Sequence, residues 1–253
     1  MKPKILLVDL ETSPLVSFNW GIYEQNAIKV VKEWHILCFA YKWLDGGATK
    51  VVSLPDFPLY KKNKDNDKEV VKKLHELFDG ADIILAQNGD SFDVKKSNAR
   101  FIYHGFSPPS QYKTIDTLKI ARRHFKFTSN KLGDLGEYLG VGKKVSTGGF
   151  ELWDKCMKGD MKSWSLMKRY CKQDVDLLEK VYLKLRPWAK THPNLALFNT
   201  SEKETCPNCQ SNNVQRRGYT PANTVWYRRF QCQQCTAWFK GTESVGKLRP
   251  SKN

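Results

Sequence analysis

The segment ILLVDLETSP, residues 5–14, decides the fold of this chain. Its unbroken apolar run, Ile5–Val8, is typical of a strand buried on both faces. Asp9 and Glu11 are two residues apart, so on a strand both carboxylates point to the same face. Two carboxylates held together in an apolar setting raise each other's pKa, and a divalent cation removes that conflict. The segment therefore predicts a buried strand that ends in a metal site.

Two later segments supply further carboxylates. Asp93 follows the short apolar segment ADIILAQN, where a predicted strand gives way to a helix. Tyr170 and Asp174, in YCKQD, are four residues apart and share one face of a long helix predicted over residues 163–187. We expect the three elements to converge on two Mg²⁺ or Mn²⁺ ions about 3.5–4 Å apart. One ion would activate water and the other would stabilise the leaving oxygen of a phosphodiester.

Each acid taken alone has a simpler explanation. Asp9 could be a turn acid at a strand end, Glu11 a surface charge, and Tyr170 a core aromatic. Asp174 could simply face Lys172 or Arg169 on its helix. The set as a whole favours a metal site, whereas two neighbouring acids, Asp116 and Asp176, are interpreted as structural or as residues that support the metal ligands from behind.

The periodicity around these blocks predicts a mixed sheet with helices packed on it. Further strands are expected in HILCFAYKWL (35–44) and ATKVVSLP (48–55). A helix through EVVKKLHELF (69–78) should bury one apolar face and stop at Gly80. Later helices are predicted in the following segments: KSNARFIYHGF after Asp93, TIDTLKIARRHF (114–125) and KLGDLGEYLGV (131–141).

The charge balance indicates a polyanionic partner. The chain has 42 Lys and Arg against 26 Asp and Glu, a net charge of +16. Nucleic acid is the favoured partner, with an anionic membrane surface as the alternative. No stretch approaches the roughly 20 apolar residues that a membrane span needs, and the first residues do not form a secretory signal. We expect an intracellular, cytoplasmic protein without a membrane partner.

Four of the seven cysteines form two CxxC pairs, Cys206 with Cys209 and Cys232 with Cys235. The spacing C-x2-C-x22-C-x2-C is typical of one structural zinc ion held by four thiolates, because each turn presents two sulfurs to one point. A segment this small has too little core to fold without metal. The remaining thiols, at Cys38, Cys156 and Cys171, are interpreted as packed in the core.

A change in composition after Trp188 predicts a second domain. We expect a first domain over 1–190, a linker over 191–204, a zinc ribbon over 205–241 and a basic tail over 242–253. Arginine guanidinium groups form bidentate hydrogen bonds with phosphates, and exposed aromatic rings stack on bases. The ribbon is therefore predicted to bind nucleic acid, with a protein partner as the alternative. The candidate side chains are Arg216, Arg217, Arg228 and Arg229, interleaved with Tyr219, Trp226, Tyr227 and Trp238.

The three acidic blocks together resemble the exonuclease motifs of the DEDD superfamily. VDLETSP resembles motif I, and NGDSFD resembles motif II with the spacing seen in the proofreading domains of family B DNA polymerases. YCKQD resembles motif III in its Tyr-x-x-x-Asp form, which marks the DEDDy branch; the sister branch has His where this chain has Arg169. The order CPNC, YRRFQC, WF is similar to zinc ribbons of some transposases.

These resemblances imply an α/β fold: an RNase H-like mixed sheet flanked by helices, plus a small C-terminal zinc ribbon. They imply that Asp9, Glu11, Asp93 and Asp174 ligate Mg²⁺ or Mn²⁺ and that Tyr170 orients the attacking water. Two further residues, Asn88 and Phe92, would line the substrate channel, and Thr12 would lie near the 3′ end.

The implied reaction is removal of mononucleotides from a 3′ end of single-stranded or frayed DNA. RNA, a structured junction, or an inert binding role remain alternatives, and the ribbon could recruit a replication or repair protein. Lys95 and Lys96 depart from the family pattern, and they either contact phosphate or are solvated.

Overall fold

The computed structural model describes residues 2–23, 26–145, 147–199 and 203–248. The strands are β1 (Ile5–Thr12), β2 (Val16–Phe18), β3 (Lys29–Lys32), β4 (Ile36–Trp43), β5 (Lys50–Ser53), β6 (Ile83–Ala86), β7 (Lys113–Asp116), β8 (Val214–Pro221), β9 (Trp226–Cys232) and β10 (Trp238–Gly246). The helices are α1 (Leu59–Lys62), α2 (Lys68–Asp79), α3 (Asp93–Tyr103), α4 (Thr117–His124), α5 (Leu132–Tyr138), α6 (Glu151–Lys158) and α7 (Met161–Leu185).

A five-stranded sheet in the order β5-β4-β1-β6-β7 forms the centre of the fold. β4 runs antiparallel to both β1 and β5, whereas β6 is parallel to β1 and β7 is parallel to β6. Leu6, Leu7 and Val8 of β1 are fully buried, as the unbroken apolar run predicts. This mixed sheet flanked by helices confirms the predicted fold class.

The helix predicted over 69–78 is α2, and its buried side chains are those that the apolar periodicity indicated. They are Val70, Val71, Leu74, Leu77 and Phe78. Gly80 caps its C-terminus, also as predicted. α7 is 25 residues long and includes both Tyr170 and Asp174.

Several elements differ from the sequence prediction; helices α1 and α6, for example, were not predicted. The helix predicted to begin at Thr114 begins at Thr117, because Lys113–Asp116 pairs with β6 as strand β7. Ile115, opposite Leu85, is buried in that pairing, which local periodicity does not encode. The hairpin β2–β3, between Ser13 and His35, was not predicted, and it leaves Phe18 and Val31 exposed.

The chain divides into two compact units, and the division falls within α4 and α7. The larger unit comprises Lys4–Leu118 and Thr128–Val181, and the smaller one comprises Met1–Pro3, Lys119–Phe127 and Tyr182–Asn253. Within the smaller unit, β8, β9 and β10 form an antiparallel sheet in the order β10-β9-β8.

The first cysteine turn of the ribbon is hydrogen-bonded to the segment that follows α7. Asn208 Nδ2 donates to the carbonyl of Arg186 at 2.8 Å, and Gln210 Nε2 donates to the carbonyl of Leu195 at 2.8 Å. The predicted linker therefore contains ordered contacts with the ribbon. β10 continues to Gly246, inside the predicted tail, whereas 249–253 lie outside the described residues. The domain boundaries drawn from the sequence stay a prediction.

Among the residues that the structure describes, no helix has the length and apolar character needed to cross a bilayer.

Candidate active site

β1 places the first two acids side by side at the end of the sheet. In the β1–β4 ladder, Asp9 lies opposite Ala40 and Glu11 lies opposite Cys38. The register shifts immediately after Glu11, so regular pairing ends at this point. Strand alternation thus puts both carboxylates on one face, at the place where the strand leaves the sheet.

α7 brings Asp174 to the same place. One carboxylate oxygen each from Asp9, Glu11 and Asp174 lies within 4.8 Å of the other two. The Asp174 residue is only 1% exposed, although its charge would favour water. Residues more than 160 positions apart in sequence thereby form one acidic cluster, hereafter the acidic triad.

Asp93 lies beside this triad but is not part of it. It is the first residue of α3, is 3% exposed, and its Oδ1 accepts a hydrogen bond from the Leu10 amide at 3.0 Å. Its charge helps to raise the pKa of Asp9 and of Glu11, so it acts on the triad electrostatically. The structure therefore places all four predicted acids in one region, three of them in mutual contact range.

The acids are poorly compensated as a group. Burial, and then the neighbouring carboxylates, raise the pKa of Asp9 well above its usual range. Burial, followed by the charge of Asp174, raises the pKa of Glu11 to about 8, and burial raises the pKa of Asp93 to about 7. Burial also raises the pKa of Asp174. Such a group is stable only when protons or cations neutralise it.

Two buried oxygens of the triad, Asp9 Oδ2 and Asp174 Oδ1, have no hydrogen-bond partner among the described residues. Buried carboxylate oxygens are normally satisfied, so these two are available to coordinate a cation. Carboxylate oxygens are the donors that Mg²⁺ and Mn²⁺ prefer. The residues present thus fit a hard divalent cation.

Lys144 is a member of the site that the sequence did not reveal. Its Nζ donates to Asp174 Oδ2 at 2.6 Å and lies 3.3 Å from the Tyr170 hydroxyl. Its aliphatic stem lies against Gly133 of α5, where a Cβ would come within 3.1 Å of it. Gln173 Nε2 holds the same loop through the Lys143 carbonyl at 2.6 Å. No local pattern pairs a loop lysine with an acid 30 residues away.

Tyr170 keeps its proton in this setting. Burial, and then the charges of Asp174 and Glu11, raise the pKa of its phenol well above the ordinary value. Its ring meets Trp153 of α6 edge to face, with centroids 6.0 Å apart. The Trp153 side chain also offsets part of the rise in the pKa of Glu11, so this tryptophan, which was not predicted, acts on both the acid and the phenol.

The remaining motif residues lie in the loop between β6 and α3. Asn88 has a φ of 62°, and its amide donates to Asp116 Oδ1 at 3.0 Å. Asp116, which is buried, also accepts from the Leu118 amide at 2.9 Å. It therefore shapes the backbone of the loop that carries Asn88 and Phe92. Thr12 is the last residue of β1 and is partly exposed.

Three charged residues near the motifs are also placed by the structure. Asp176 Oδ1 accepts from the Thr49 hydroxyl at 2.5 Å, which fits a structural role. Lys95 is exposed, whereas Lys96 is partly buried with its Nζ 3.6 Å from the centroid of the Trp34 ring.

The four ribbon cysteines form a second candidate metal site. One sulfur from each lies within 4.8 Å of the others, and the contacts Cys206–Cys235 and Cys209–Cys232 are both 3.6 Å. Thiolates at about 2.3 Å from one tetrahedral zinc lie about 3.8 Å apart. The spacing of the sulfurs therefore fits one zinc ion with no position left for chemistry.

The ribbon sheet separates the predicted arginines onto two faces. Arg229 pairs with Lys240, and both side chains lie over aromatic rings: Arg229 at 5.0 Å from Trp238, and Lys240 at 4.4 Å from Tyr227. Strand alternation puts these four side chains on one face, here called the outer ribbon face.

The other arginines lie elsewhere on the ribbon. Arg216 and Arg228 share the face of buried Phe230, and Arg216 also contacts the Tyr219 hydroxyl. Arg217 is exposed, and its carbonyl accepts from Arg229 Nε at 3.0 Å. The predicted arginines are thus all exposed but do not form a single surface.

Comparison with known proteins finds one matching family model and a set of similar solved structures. The model of the family described as RNase_H superfamily matches residues 31–186, which is more than half of the chain but begins after Asp9 and Glu11. No curated protein matches the sequence.

Among solved structures, the family B DNA polymerase from the hyperthermophilic archaeon Pyrobaculum calidifontis is similar over 74% of this chain and 25% of its own. The TM-score is 0.51 and the sequence identity is 18%, so the likeness concerns the fold. The chain spans about a quarter of that polymerase's length.

Proposed function

The chain belongs to the RNase H superfamily, and on that premise we propose that it is a metal-dependent 3′→5′ exonuclease acting on single-stranded or frayed DNA ends. The observation that carries the proposal is the acidic triad with its two buried, unpartnered oxygens, Asp9 Oδ2 and Asp174 Oδ1. A group of largely buried, mutually repelling acids lowers stability unless it is neutralised, whereas two-metal hydrolysis of a phosphodiester uses such a group.

In the proposed reaction, Asp9, Glu11, Asp174 and Asp93 would hold two divalent cations. Such cations, when bound, would supply an activated water molecule and neutralise charge on the leaving oxygen. Asp93 keeps one oxygen on the Leu10 amide, so its remaining oxygen is oriented by a fixed partner. The acids thus supply a rigid arrangement of oxygens at the end of β1.

Tyr170 and Lys144 serve the same reaction from the side of α7. The Tyr170 phenol keeps its proton, so it donates a hydrogen bond to the attacking water or to a phosphate oxygen. The Lys144 ammonium donates to Asp174, and a polynucleotide phosphate would offer it a second anionic partner. Trp153 acts on both the Glu11 carboxylate and the phenol.

The ribbon is proposed to hold the nucleic acid rather than to cut it. Four thiolates saturate a zinc ion, so the ribbon has no catalytic position. Its outer face alternates cations with aromatic rings, a surface suited to phosphates and stacked bases. Binding at this face would keep the substrate at a high local concentration.

The first experiment is digestion of matched DNA and RNA 20-mers that are labelled at either end, in Mg²⁺, Mn²⁺ or EDTA. A 3′→5′ DNA exonuclease gives a ladder of progressively shorter products from 5′-labelled DNA. From 3′-labelled DNA it releases the label at once as a mononucleotide, and it is inactive in EDTA. Faster cleavage of the RNA 20-mer than of the DNA 20-mer would mean that the preferred substrate is an RNA end. Internal cuts would show an endonuclease, and uncut substrate with intact binding would show an inert binding protein.

Site variants connect the activity with the acidic triad. Asp174→Asn should lower turnover by about 10³-fold or more, and Tyr170→Phe by only about 10- to 100-fold, because the phenol contributes one hydrogen bond. Asp176→Asn is the matched control, since it lies two residues away on α7 and contacts Thr49. Equal activity of Asp174→Asn and Asp176→Asn would refute the metal assignment.

A further inference from the structure

A cavity of about 640 Å³ lies beside the beginning of β4, outside the acidic triad. Its walls come from the β3–β4 connection with Trp34 and His35, the turn over residues 63–68, and the C-terminal end of α3 with Arg100 and Tyr103. Its volume falls in the range of about 300–1,000 Å³ that small-ligand sites occupy. None of these residues was a predicted site residue.

The floor of this cavity is preorganised by one buried acid. Asp67 is 0% exposed, and its carboxylate accepts hydrogen bonds from the Ile36 amide at 2.8 Å, Arg100 Nε at 2.8 Å and His104 Nε2 at 2.7 Å. A carboxylate with these partners fixes the positions of the Arg100 and His104 side chains. The wall formed by Arg100 and His104 is therefore built before any ligand arrives.

His35 presents an unsatisfied polar atom at the same cavity. The residue is 3% exposed, and its Nδ1 is hydrogen-bonded to the Ser13 hydroxyl at 3.0 Å. Its Nε2 has no hydrogen-bond partner among the described residues; the Asp65 carboxylate is 3.7 Å away, beyond hydrogen-bond range. A buried ring nitrogen without a partner is a place where a ligand gains a hydrogen bond.

A row of cations and aromatic rings connects the acidic site with this cavity. The Lys96 ammonium lies 5.8 Å from the Phe92 ring and 3.6 Å from the Trp34 ring. The Arg100 guanidinium lies 5.7 Å from Trp34 and 4.1 Å from the Tyr103 ring. We call this series, from Phe92 to Tyr103, the aromatic row.

The aromatic row follows α3 away from the candidate metal site. From Phe92 the row continues at Lys96, Arg100 and Tyr103, at steps of three or four residues, so these side chains lie along one stripe of α3 that is about 16 Å long. The row therefore begins next to Asp93 and ends at the cavity. A nucleic-acid strand whose 3′ end lies at the acidic triad would pass these rings one after another.

We propose that the cavity binds an unpaired nucleotide of the strand whose 3′ end lies at the acidic triad, with its base against Trp34 or Tyr103; this rests on the proposed function. Flat rings beside fixed cations suit a base and its phosphate, because stacking and charge act on every nucleotide regardless of sequence. Tyr103 is 69% exposed although Arg100 covers part of it, so much of its ring is accessible to a base. His35 Nε2 supplies a polar contact to the same nucleotide.

The test compares two exposed neighbours on α3. Tyr103→Ala removes a ring of the aromatic row, whereas Ile102→Ala removes a side chain that is 78% exposed and lines a different cavity. The dissociation constant of 5′-fluorescein-labelled dT10 is measured by anisotropy in EDTA, and KM is measured for oligo-dT of increasing length. Tyr103→Ala should weaken binding by about tenfold and abolish the decrease in KM with increasing oligonucleotide length. Ile102→Ala should change neither quantity.

A second variant guards against an indirect effect on the fold. Trp34→Ala should reproduce the loss of Tyr103→Ala, and both variants should keep the wild-type circular dichroism spectrum and the wild-type thermal stabilisation by Mg²⁺, which report on the fold and on the acidic triad. Wild-type affinity for dT10 in both variants would overturn the proposal, as would equal losses in Tyr103→Ala and Ile102→Ala. If the wild-type protein hydrolyses nothing while Tyr103→Ala still weakens binding selectively, the exonuclease proposal fails and the nucleotide site stands.

Discussion

At the scale of single residues, the candidate site is a set of acids that cannot all be charged without a cation. Asp9 and Asp174 each bury an oxygen without a partner among the described residues, and Glu11 has a pKa raised to about 8. The Lys144 ammonium neutralises one charge of the group, through Asp174. The acids of the site therefore repel one another. Protons, Lys144 and divalent cations each reduce this electrostatic conflict to a different extent.

This conflict predicts an unusual dependence of stability on pH in EDTA. Because the pKa of Glu11 is raised to about 8 and that of Asp93 to about 7, the folded protein binds more protons than the unfolded chain between about pH 4 and pH 8. Stability contributed by these protons is present below that window and is lost as pH rises through it. We expect the melting temperature to fall by about 5 °C or more from pH 5 to pH 8.

Calorimetry or thermal fluorescence across this pH range measures the effect. Saturating Mg²⁺ should remove most of the fall, since a cation replaces the protons, and Glu11→Gln should flatten it in EDTA. A melting temperature that rises steadily with pH in EDTA would show that the acids are not under strain.

Lys144 predicts a second measurable effect. Lys144→Met removes the positive charge from Asp174, so the metal-free protein should be less stable while Mg²⁺ binds about three- to tenfold more tightly. The midpoint of Mg²⁺-dependent thermal stabilisation reports this affinity. The matched control is Lys143→Met, because Lys143 lies in the same loop and pairs with Glu137 at the surface. Weaker Mg²⁺ binding in Lys144→Met would mean that Lys144 supports the metal site instead of competing with the cation.

At the scale of elements, each strand and helix of the site does one task. β1 presents Asp9 and Glu11 on one face, α7 brings Tyr170 and Asp174 by helical periodicity, and α3 begins at Asp93. In the ribbon, strand alternation sorts the exposed cations by face: Arg229 and Lys240 lie with Trp238 and Tyr227. Element geometry thus decides which charged side chains act together.

The outer ribbon face predicts a face-specific salt effect. Replacing Arg229 and Lys240 with Ala should reduce the slope of log K against log [salt] for oligo-dT by about 1.4, or about 0.7 for each lost phosphate contact. Replacing Arg216 and Arg228, which removes the same charge from the Phe230 face, should change the slope by less than half as much. Affinity titrations from low to moderate salt measure both slopes. Equal slopes for the two double variants would show that net charge, rather than this face, governs binding.

At the scale of the whole molecule, this strongly basic chain has two candidate metal sites that differ in chemistry. The acidic triad belongs to the larger unit and the four thiols belong to the smaller one. The ribbon's first cysteine turn is hydrogen-bonded to the segment after α7, so deleting residues 199–253 would also remove partners of Arg186 and Leu195. Single substitutions separate the two sites more cleanly than truncation.

Loss of zinc predicts separate effects on chemistry and on binding. Cys232→Ser should abolish zinc retention and unfold the ribbon, because so small a unit depends on metal for its core. Hydrolysis of thymidine 5′-p-nitrophenyl phosphate should stay within about twofold of the wild type, since the acidic triad shares no residue with the ribbon. KM for an oligonucleotide should rise by about tenfold. Zinc content, both substrates and circular dichroism are measured on the same preparations; loss of ester hydrolysis would show that the triad depends on the ribbon.

The sequence by itself determined whatever depends on short-range periodicity. Alternation along β1 placed Asp9 with Glu11, helical spacing placed Tyr170 with Asp174, and each CxxC turn placed two sulfurs together. Only the tertiary structure decided the contacts that span long separations. Pairing with β6 makes Lys113–Asp116 a strand, and Lys144 donates a hydrogen bond to Asp174. Three segments that are distant in sequence line the cavity beside Trp34. The physical reason is that a local pattern fixes which face a side chain takes, whereas its partner is chosen by the packing of the whole chain.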